Sequence, residues 1–162
     1  MAERSCDGCV ECCKIIGVNE LKKLPGERCK HASPGFGCKI YGKHPQSCQS
    51  YKCLWRLGHL EEEDKPNKRR LIFDHMACPY LVGTTQLNIW ETKRGHLQLN
   101  AKYVKDLTYA HLRMGVWVMH HPLKGPRLFY IPPGISTDIA MRVRRDGPLN
   151  NTRVYYCRWP AP

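Results

Sequence analysis

The stretch "SCDGCVECCK", residues 5–14, places four cysteines within eight positions in the spacing Cys-x-x-Cys-x-x-Cys-Cys. A Cys-x-x-Cys turn lets two thiolates point at one metal ion, and zinc takes four such ligands in a tetrahedron. Four more cysteines follow before residue 54, in a segment rich in glycine and proline. The eight predicted metal ligands are Cys6, Cys9, Cys12, Cys13, Cys29, Cys38, Cys48 and Cys53.

Eight thiolates are enough for two closed sites of four ligands each. Because the later cysteines are separated by loops, we expect metal binding and folding of this segment to be one event. Neighbouring side chains diverge by about 100° on a helix and by more on a strand, so Cys12 and Cys13 do not easily chelate one ion together. On a helix Cys6, Cys9 and Cys13 would share a face and Cys12 would point elsewhere. The doublet therefore predicts two centres, or one polynuclear centre, joined at these two residues.

The identity of the metal stays open at this point. Zinc in a structural role is the first expectation. The alternative is a redox or iron-sensing protein that holds an iron–sulfur cluster or iron, because both metals accept thiolates. The first three cysteines match the start of a bacterial ferredoxin run, but the next residue is Cys13 rather than a fourth cysteine three positions further on. The same residues would serve either metal.

The cysteine run, followed by Cys29 and "GCKIYGKHPQSCQSYKCLW" at residues 37–55, resembles the YkgJ-like cysteine-cluster family, which carries a zinc- or iron-chelating domain. Its second half is matched by Cys38, Ile40, Tyr41, Pro45, Cys48, Tyr51 and Cys53. The chain departs from the family where Lys43-His44-Pro45 stands in place of a common Arg-Pro pair. The resemblance covers about residues 6–55 and implies chelation by these cysteines, without implying an activity.

The composition favours an intracellular, cytoplasmic and reducing location. Residues 1–20 contain no apolar signal-peptide core, and the chain has no run of about 18 apolar residues that could span a membrane. In a reducing compartment a cysteine cluster is more often a metal site than a set of disulfides. The phosphate-binding, dinucleotide-binding and metalloprotease motifs are missing, so an enzyme, including a metal-dependent one, is the weaker interpretation.

The pattern predicts an α+β protein in which a metal-stapled, loop-rich cysteine module spans residues 1–58. Residues 59–70, "HLEEEDKPNKRR", read as a solvated connector, and residues 71–162 as a small mixed sheet with two helices. The helices are predicted over 100–115, between Asn100 and Gly115, and over 136–147. Strands are predicted at 70–76, 116–121, 127–131 and 153–159, and residues 86–99 are predicted to form two strands joined by a turn at Gly95, the second of them at 96–99.

The net charge of +12 favours an anionic partner. Eight thiolates with two Zn²⁺ ions would lower it to about +8. We expect a nucleic acid, RNA more than DNA, or a protein or ribonucleoprotein assembly, with no membrane. The candidate contacts are Lys68, Arg69, Arg70, Arg142, Arg144, Arg145, Arg153 and Arg158, with Tyr155, Tyr156 and Trp159 in a basic, aromatic tail.

Several residues outside the cluster carry weaker expectations. Cys78 and Cys157 stand in apolar or aromatic surroundings and are expected to be buried structural thiols. His31 is expected at the surface, with a role as a ninth ligand as the alternative. His120 and His121 are expected on opposite faces of a strand, one buried and one in water, and a site there is the minority interpretation.

Overall fold

The computed structural model describes residues 3–79, 81–93, 98–136, 138 and 152–156. The chain divides into two compact units, Met1–Ile72 and Phe73–Pro162. The boundary lies after Ile72, whereas the sequence pattern indicated a connector at residues 59–70. In the structure that segment belongs to the first unit.

Short elements joined by turns make up the described part of the first unit. The helices are α1 (Cys12–Ile15), α2 (Gln46–Ser50) and α3 (Pro66–Arg69), with 3-10 turns at Asn19–Leu21 and Glu62–Asp64. Strands β1 (Ala32–Ser33) and β2 (Gly37–Cys38), of two residues each, pair antiparallel in a hairpin. Because none of these helices exceeds five residues, helical propensity alone cannot hold them in place.

The second unit is built on a five-stranded sheet, whose first strand begins at Leu71. Its strands are β3 (Leu71–Ala77), β4 (Thr85–Glu91), β5 (Trp117–His121), β6 (Arg127–Ile131) and β7 (Thr152–Tyr156), and they lie side by side in chain order. Strands β4 and β5 run parallel, β5 and β6 antiparallel, and β6 and β7 parallel. The mixed sheet confirms the predicted α+β class.

The parallel pair β4 and β5 is joined by helix α4 (Lys102–Arg113). Its buried stripe is Val104, Thr108 and Leu112, each one turn after the last. The helix ends before Gly115, whose φ of +75° suits glycine. The predicted helix is thereby confirmed, although Ala101 rather than Asn100 precedes it as the N-cap.

The strand predicted at residues 96–99 is wrong where the structure describes it, because Gln98–Asn100 form a 3-10 turn. Four alternating residues give too short a pattern to separate a strand from a turn that leads into a helix. The helix predicted over 136–147 lies almost wholly outside the described residues. The other predicted strands are present, and the last is described as far as Tyr156.

An apolar cluster on the sheet gives the second unit a core of its own. Its buried members are Cys78, Trp117, Met119, Phe129 and Ile131. The rings of Trp117 and Phe129 stack with their centroids 5.5 Å apart. Within the part of the chain that the structure describes, no helix is long and apolar enough to cross a membrane.

Candidate metal centre

The cysteines of residues 6–13 are set by two consecutive turns. The Cys9 N–H donates a hydrogen bond to the Cys6 carbonyl over 2.8 Å. Gly8 makes this turn possible because its φ is +71°. Cys12 and Cys13 then open helix α1. The local fold thus holds the first two cysteines in a tight turn and the doublet in a single helical turn.

The other four cysteines reach the same region from separate elements. The Cys29 N–H donates to the Cys13 carbonyl over 2.9 Å, which ties the loop of Cys29 to the doublet. Cys38 lies in β2, Cys48 lies in α2 and Cys53 follows α2. Side-chain and backbone hydrogen bonds from Ser47 to the Glu20 carboxylate fasten the start of α2.

All eight predicted ligands line one cavity of about 180 Å³ in the first unit. Each of them is a free thiol. The remaining lining is mostly apolar and aromatic, and His31, Tyr41 and His44 also contribute to it. Eight reduced sulfurs around one space, in apolar surroundings, are a donor set that suits zinc or iron–sulfur chemistry.

The sulfurs of the doublet contact each other rather than diverging. Hydrogen bonding to Cys13, together with burial, raises the pKa of Cys12 well above its ordinary value. The same hydrogen bond lowers the pKa of Cys13 to about 7, with help from the charge of Lys23. The expectation that Cys12 would point away from the other three applied to a helix through residues 6–13, and the structure has no such helix. Only residues 12–15 are helical, so the angles of a continuous helix do not apply.

The electrostatic neighbours of the thiols define two sets of sulfurs. Cys12 is acted on by Cys13, Cys6 and Cys9. Cys48 is acted on by Cys13, Cys29 and Cys38. Cys13 acts on both Cys12 and Cys48 and is therefore a neighbour of both sets. The bridging role of the Cys12–Cys13 doublet stays a prediction.

Burial is the largest influence on the thiols at the start of the chain. It raises the pKa of Cys9 to about 11, against the opposing effect of hydrogen bonds from the backbone N–H groups of Glu11 and Asn67. It also raises the pKa of Cys6, against the opposing charges of Arg56 and Lys65. A thiolate held here is costly without a cation beside it.

Cationic side chains of the protein lie close to the thiols of the cavity, although no sequence pattern indicated them. Lys23 is buried, and its Nζ donates to the carbonyls of Ile16 and Leu24. Lys65 lies 4.8 Å from the centre of the Trp55 ring. A lysine or arginine in a basic chain carries no signal that distinguishes these residues, so only the tertiary structure reveals them.

His120 and His121, for which a site was the minority interpretation, lie in the second unit, and both are buried. His120 Nε2 lies 2.9 Å from the Thr108 hydroxyl of α4. His121 Nε2 lies 3.0 Å from Asn88 Oδ1, and its ring stacks on Trp90 at 3.5 Å. The expectation that one of them would be in water is wrong, because packing covers the strand on both faces.

Asp74 and His121 belong to one hydrogen-bond network across strands β3, β4 and β5. The Asp74 carboxylate accepts hydrogen bonds from Asn88 Nδ2 and Trp90 Nε1, both over 2.8 Å. Burial lowers the pKa of His120 to about 4 and that of His121 to about 3. Neutral, hydrogen-bonded imidazoles in a sheet fit a structural role. Cys78 is buried in the apolar core nearby, as predicted.

The basic surface predicted around Lys68, Arg69 and Arg70 is neutralised in the structure. Arg69 pairs with Asp64 at 2.8 Å, Arg70 with Glu11 at 3.2 Å, and Lys68 with the carboxylates of residues 62 and 63. Arg142, Arg144, Arg145, Arg158, Cys157 and Trp159 lie outside the described residues, as does the side chain of Tyr156. Arg153 and Tyr155 are exposed on β7.

The described thiols do not form a ready coordination sphere. Within residues 3–79, 81–93, 98–136, 138 and 152–156, no group of three or more His, Cys, Asp or Glu side chains is arranged to hold a metal ion. The eight cysteines surround a space instead of converging on a point. No family model, curated protein or solved structure matches the chain.

Proposed function

We propose that this chain is a metal-binding protein of the YkgJ-like cysteine-cluster kind, with zinc as the first candidate. The observation that carries the proposal is the single cavity lined by all eight clustered cysteines, each a free thiol. The metal has a structural role: it fixes the loops of the first unit, which then presents a basic surface to a partner. A reducing, cytoplasmic compartment belongs to the proposal, since it would keep the thiols available as ligands.

The two sets of sulfurs give the proposal its arrangement. Cys6, Cys9 and Cys12 form one set, Cys29, Cys38 and Cys48 form the other, and Cys13 lies between them. Cys53 lines the same cavity and completes the eight. Two zinc ions together with eight thiolate ligands would carry a charge of −4, which Lys23 and Lys65 are placed to offset in part. Because the thiols are spread around the cavity, binding would draw the loops inward.

An iron–sulfur cluster is the second candidate, and the size of the cavity favours it. A cavity of about 150 Å³ admits a benzene molecule, so the 180 Å³ here exceeds what two bare ions occupy. A cluster with inorganic sulfide would fill more of that space. The Cys-x-x-Cys-x-x-Cys spacing is also the beginning of a ferredoxin run.

Metal analysis of anaerobically purified protein tests the proposal. About two zinc per chain in colourless protein supports the leading form. Absorbance at about 400 nm, with equal amounts of iron and acid-labile sulfide, would favour the iron–sulfur cluster over zinc. Protein that is folded, reduced and free of metal would contradict both forms.

A pair of matched variants locates the metal. Cys13→Ser should lower the metal content by more than half, because Cys13 lies between the two sets of sulfurs. Cys78→Ser, at a buried thiol in the core of the second unit, should leave the metal content unchanged. A full complement of metal in Cys13→Ser would refute the assigned position of this residue.

A further inference from the structure

Two classes can be distinguished among the lysines and arginines of the first unit, apart from those that contact backbone carbonyls or the Trp55 ring. One class is paired: Lys52 and Arg56 both reach the Glu3 carboxylate at 2.7 Å, and Arg69 reaches Asp64 at 2.8 Å. Lys14 and Arg70 pair with Glu11 in the same way. These cations are already neutralised by the protein, so they contribute little attraction for an outside anion.

The second class lies between residues 22 and 43 and has no such partners. Its members are exposed, and within the described residues their side chains have no carboxylate or hydrogen-bond partner. The carboxylates of this segment hydrogen-bond to neutral donors: Glu20 accepts from Ser47, and Glu27 accepts from the Leu24 N–H over 3.1 Å. The unpaired cations are Lys22, Arg28, Lys30, Lys39 and Lys43.

The fold brings these cations to the surface around the β1–β2 hairpin. The Lys39 N–H donates to the His31 carbonyl over 2.9 Å, which sets Lys39 opposite the residue that follows Lys30. A turn in which the Lys43 N–H donates to Ile40 over 2.9 Å comes directly afterwards. The Glu20–Ser47 hydrogen bonds join the segment of Lys22 to the start of α2. We call this surface, residues 22–44, the basic hairpin face.

Two exposed aromatic rings accompany the charges. Phe36 lies in the turn between β1 and β2 and is 90% exposed. The turn is held by a hydrogen bond from the Phe36 N–H to Ser33 and by close packing of Gly35 on Gly8. Tyr41 is 52% exposed and stacks on His44, with the rings 5.0 Å apart. Phe36 therefore presents almost its whole ring to solvent from a fixed turn.

We infer that the basic hairpin face binds single-stranded RNA. Lysine and arginine side chains would contact phosphates, and the rings of Phe36 and Tyr41 would stack on unpaired bases. RNA is the nucleic acid that we propose as the partner, because its bases are ordinarily unpaired in loops and single strands. This inference rests on the proposed function in one respect, since bound metal would hold the hairpin in place.

Charge balance for the metal site alone does not account for this face. Two zinc ions with eight thiolates carry −4, so nearby cations would be favourable even without RNA. That explanation does not require an aromatic ring that is 90% exposed at the tip of the hairpin. The combination of unpaired cations and exposed rings is what single-strand binding surfaces use.

The test measures binding of a fluorescein-labelled 16-nucleotide polyuridine RNA to the metal-loaded full chain by anisotropy, over a series of KCl concentrations. The triple variant Lys30→Gln, Lys39→Gln and Lys43→Gln should lose at least tenfold in affinity. Its slope of log affinity against log salt should flatten by about 2, since each phosphate contact to a single strand contributes about 0.7. The control triple Lys52→Gln, Lys68→Gln and Lys102→Gln removes the same charge from paired lysines and should keep the slope.

The aromatic contribution is tested separately. Phe36→Leu keeps an apolar side chain but removes the ring, and should weaken RNA binding about tenfold without changing the salt slope. Val82→Ala alters an apolar side chain that is fully exposed elsewhere and should have no effect. An unaltered affinity in Phe36→Leu overturns the stacking role.

Four other results would overturn the inference. The first is a failure to bind RNA at low salt, and the second is an equal loss of RNA affinity in the two triple variants. The third is tighter binding of duplex RNA, or of DNA of matching sequence, than of the single-stranded RNA. The fourth is displacement of the RNA by polyglutamate at an equal concentration of negative charge. The last would indicate an acidic protein partner. The metal content of every sample is measured to separate the two proposals. Metal-loaded protein that does not bind RNA refutes this inference alone, and wild-type protein that contains no metal refutes the proposed function.

Discussion

At the scale of single residues, the buried titratable groups show most clearly what the structure adds to the sequence. His120 and His121 are adjacent, and both are buried and neutral, because one packs under α4 and the other against Trp90 and Asn88. Glu11 is buried within the cysteine run and holds two cations. None of these environments follows from the residue types alone.

The two histidines predict a loss of stability in mild acid. Their folded-state pKa values, about 4 and about 3, lie below the unfolded value of about 6.5. The unfolded chain therefore binds the extra protons, and the free energy of unfolding falls as the pH drops from about 6.5 toward 4. Each histidine contributes up to about 1.4 kcal/mol per pH unit to this slope.

Urea unfolding at several pH values measures the effect. His121→Gln should flatten the dependence by up to about 1.4 kcal/mol per pH unit. His59→Gln, at an exposed histidine, should reproduce the wild-type curve. Because the comparison is between variants, proton uptake by released thiols cancels. Identical slopes in all three proteins would contradict the argument.

Glu11 predicts a second effect at this scale. Its side chain is 2% exposed, with Lys14 Nζ at 2.7 Å and Arg70 Nη1 at 3.2 Å. Glu11→Gln should lower the free energy of unfolding by about 2 kcal/mol, less than for a wholly buried ion pair because both cations are partly in solvent. Glu63→Gln, whose carboxylate is 76% exposed, should change it by less than about 0.5 kcal/mol. Equal losses of unfolding free energy in the two variants, measured by urea unfolding, would contradict the stabilising role of Glu11.

At the scale of elements, the cysteine turn and the β1–β2 hairpin depend on each other. A Cβ on Gly8 would lie 2.7 Å from the backbone oxygen of Gly35, which is closer than real Cβ contacts allow. The turn that holds Cys6 and Cys9 can therefore approach the hairpin only because it contains glycine.

Gly42 provides a matched control for this contact. It also has a positive φ, of +86°, but a Cβ there would meet nothing within 4 Å. Gly42→Ala should cost about 1 kcal/mol from backbone strain alone. Gly8→Ala should cost about 1–3 kcal/mol more, because the clash with backbone cannot relax by a rotamer change. Metal retention and urea midpoints measure the difference, and equal effects of the two substitutions would disprove the contact.

At the scale of the whole molecule, the two units are held by different means. The described helices of the first unit have at most five residues and its sheet has two short strands. The second unit has a five-stranded sheet with an apolar cluster of its own. If the proposed metal is present, we expect the first unit to depend on it and the second to be largely independent of it.

Removal of the metal by a chelator with a reductant tests this difference through amide hydrogen exchange. Amides of residues 6–53 should lose protection, while those of β4, β5 and β6 should keep it, since a packed sheet opens only at higher free energy. Addition of zinc should restore the lost protection. Uniform loss across the chain, or retained protection in residues 6–53, would contradict the expected dependence.

The fold was predictable wherever a pattern is local. Helix α4 and strands β3, β5 and β6 appear where periodicity and turn residues indicated them, and Gly115 ends the helix as expected. The order of the sheet could not be read in this way, because strand pairing depends on contacts between distant residues. The segment ending at Leu99 failed because a four-residue pattern fits a strand and a turn equally well.

Spacing and residue type were enough to identify the eight clustered cysteines, and all eight line one cavity in the folded chain, whereas the joining of two metal centres by the Cys12–Cys13 doublet stays a prediction. Three features became evident only in the folded chain: Cys13 acts on both Cys12 and Cys48, Lys68 to Arg70 are neutralised, and unpaired cations lie around the β1–β2 hairpin. These facts depend on which side chains distant segments bring together. That choice is made by packing and ion pairing in the folded chain, which no local pattern records.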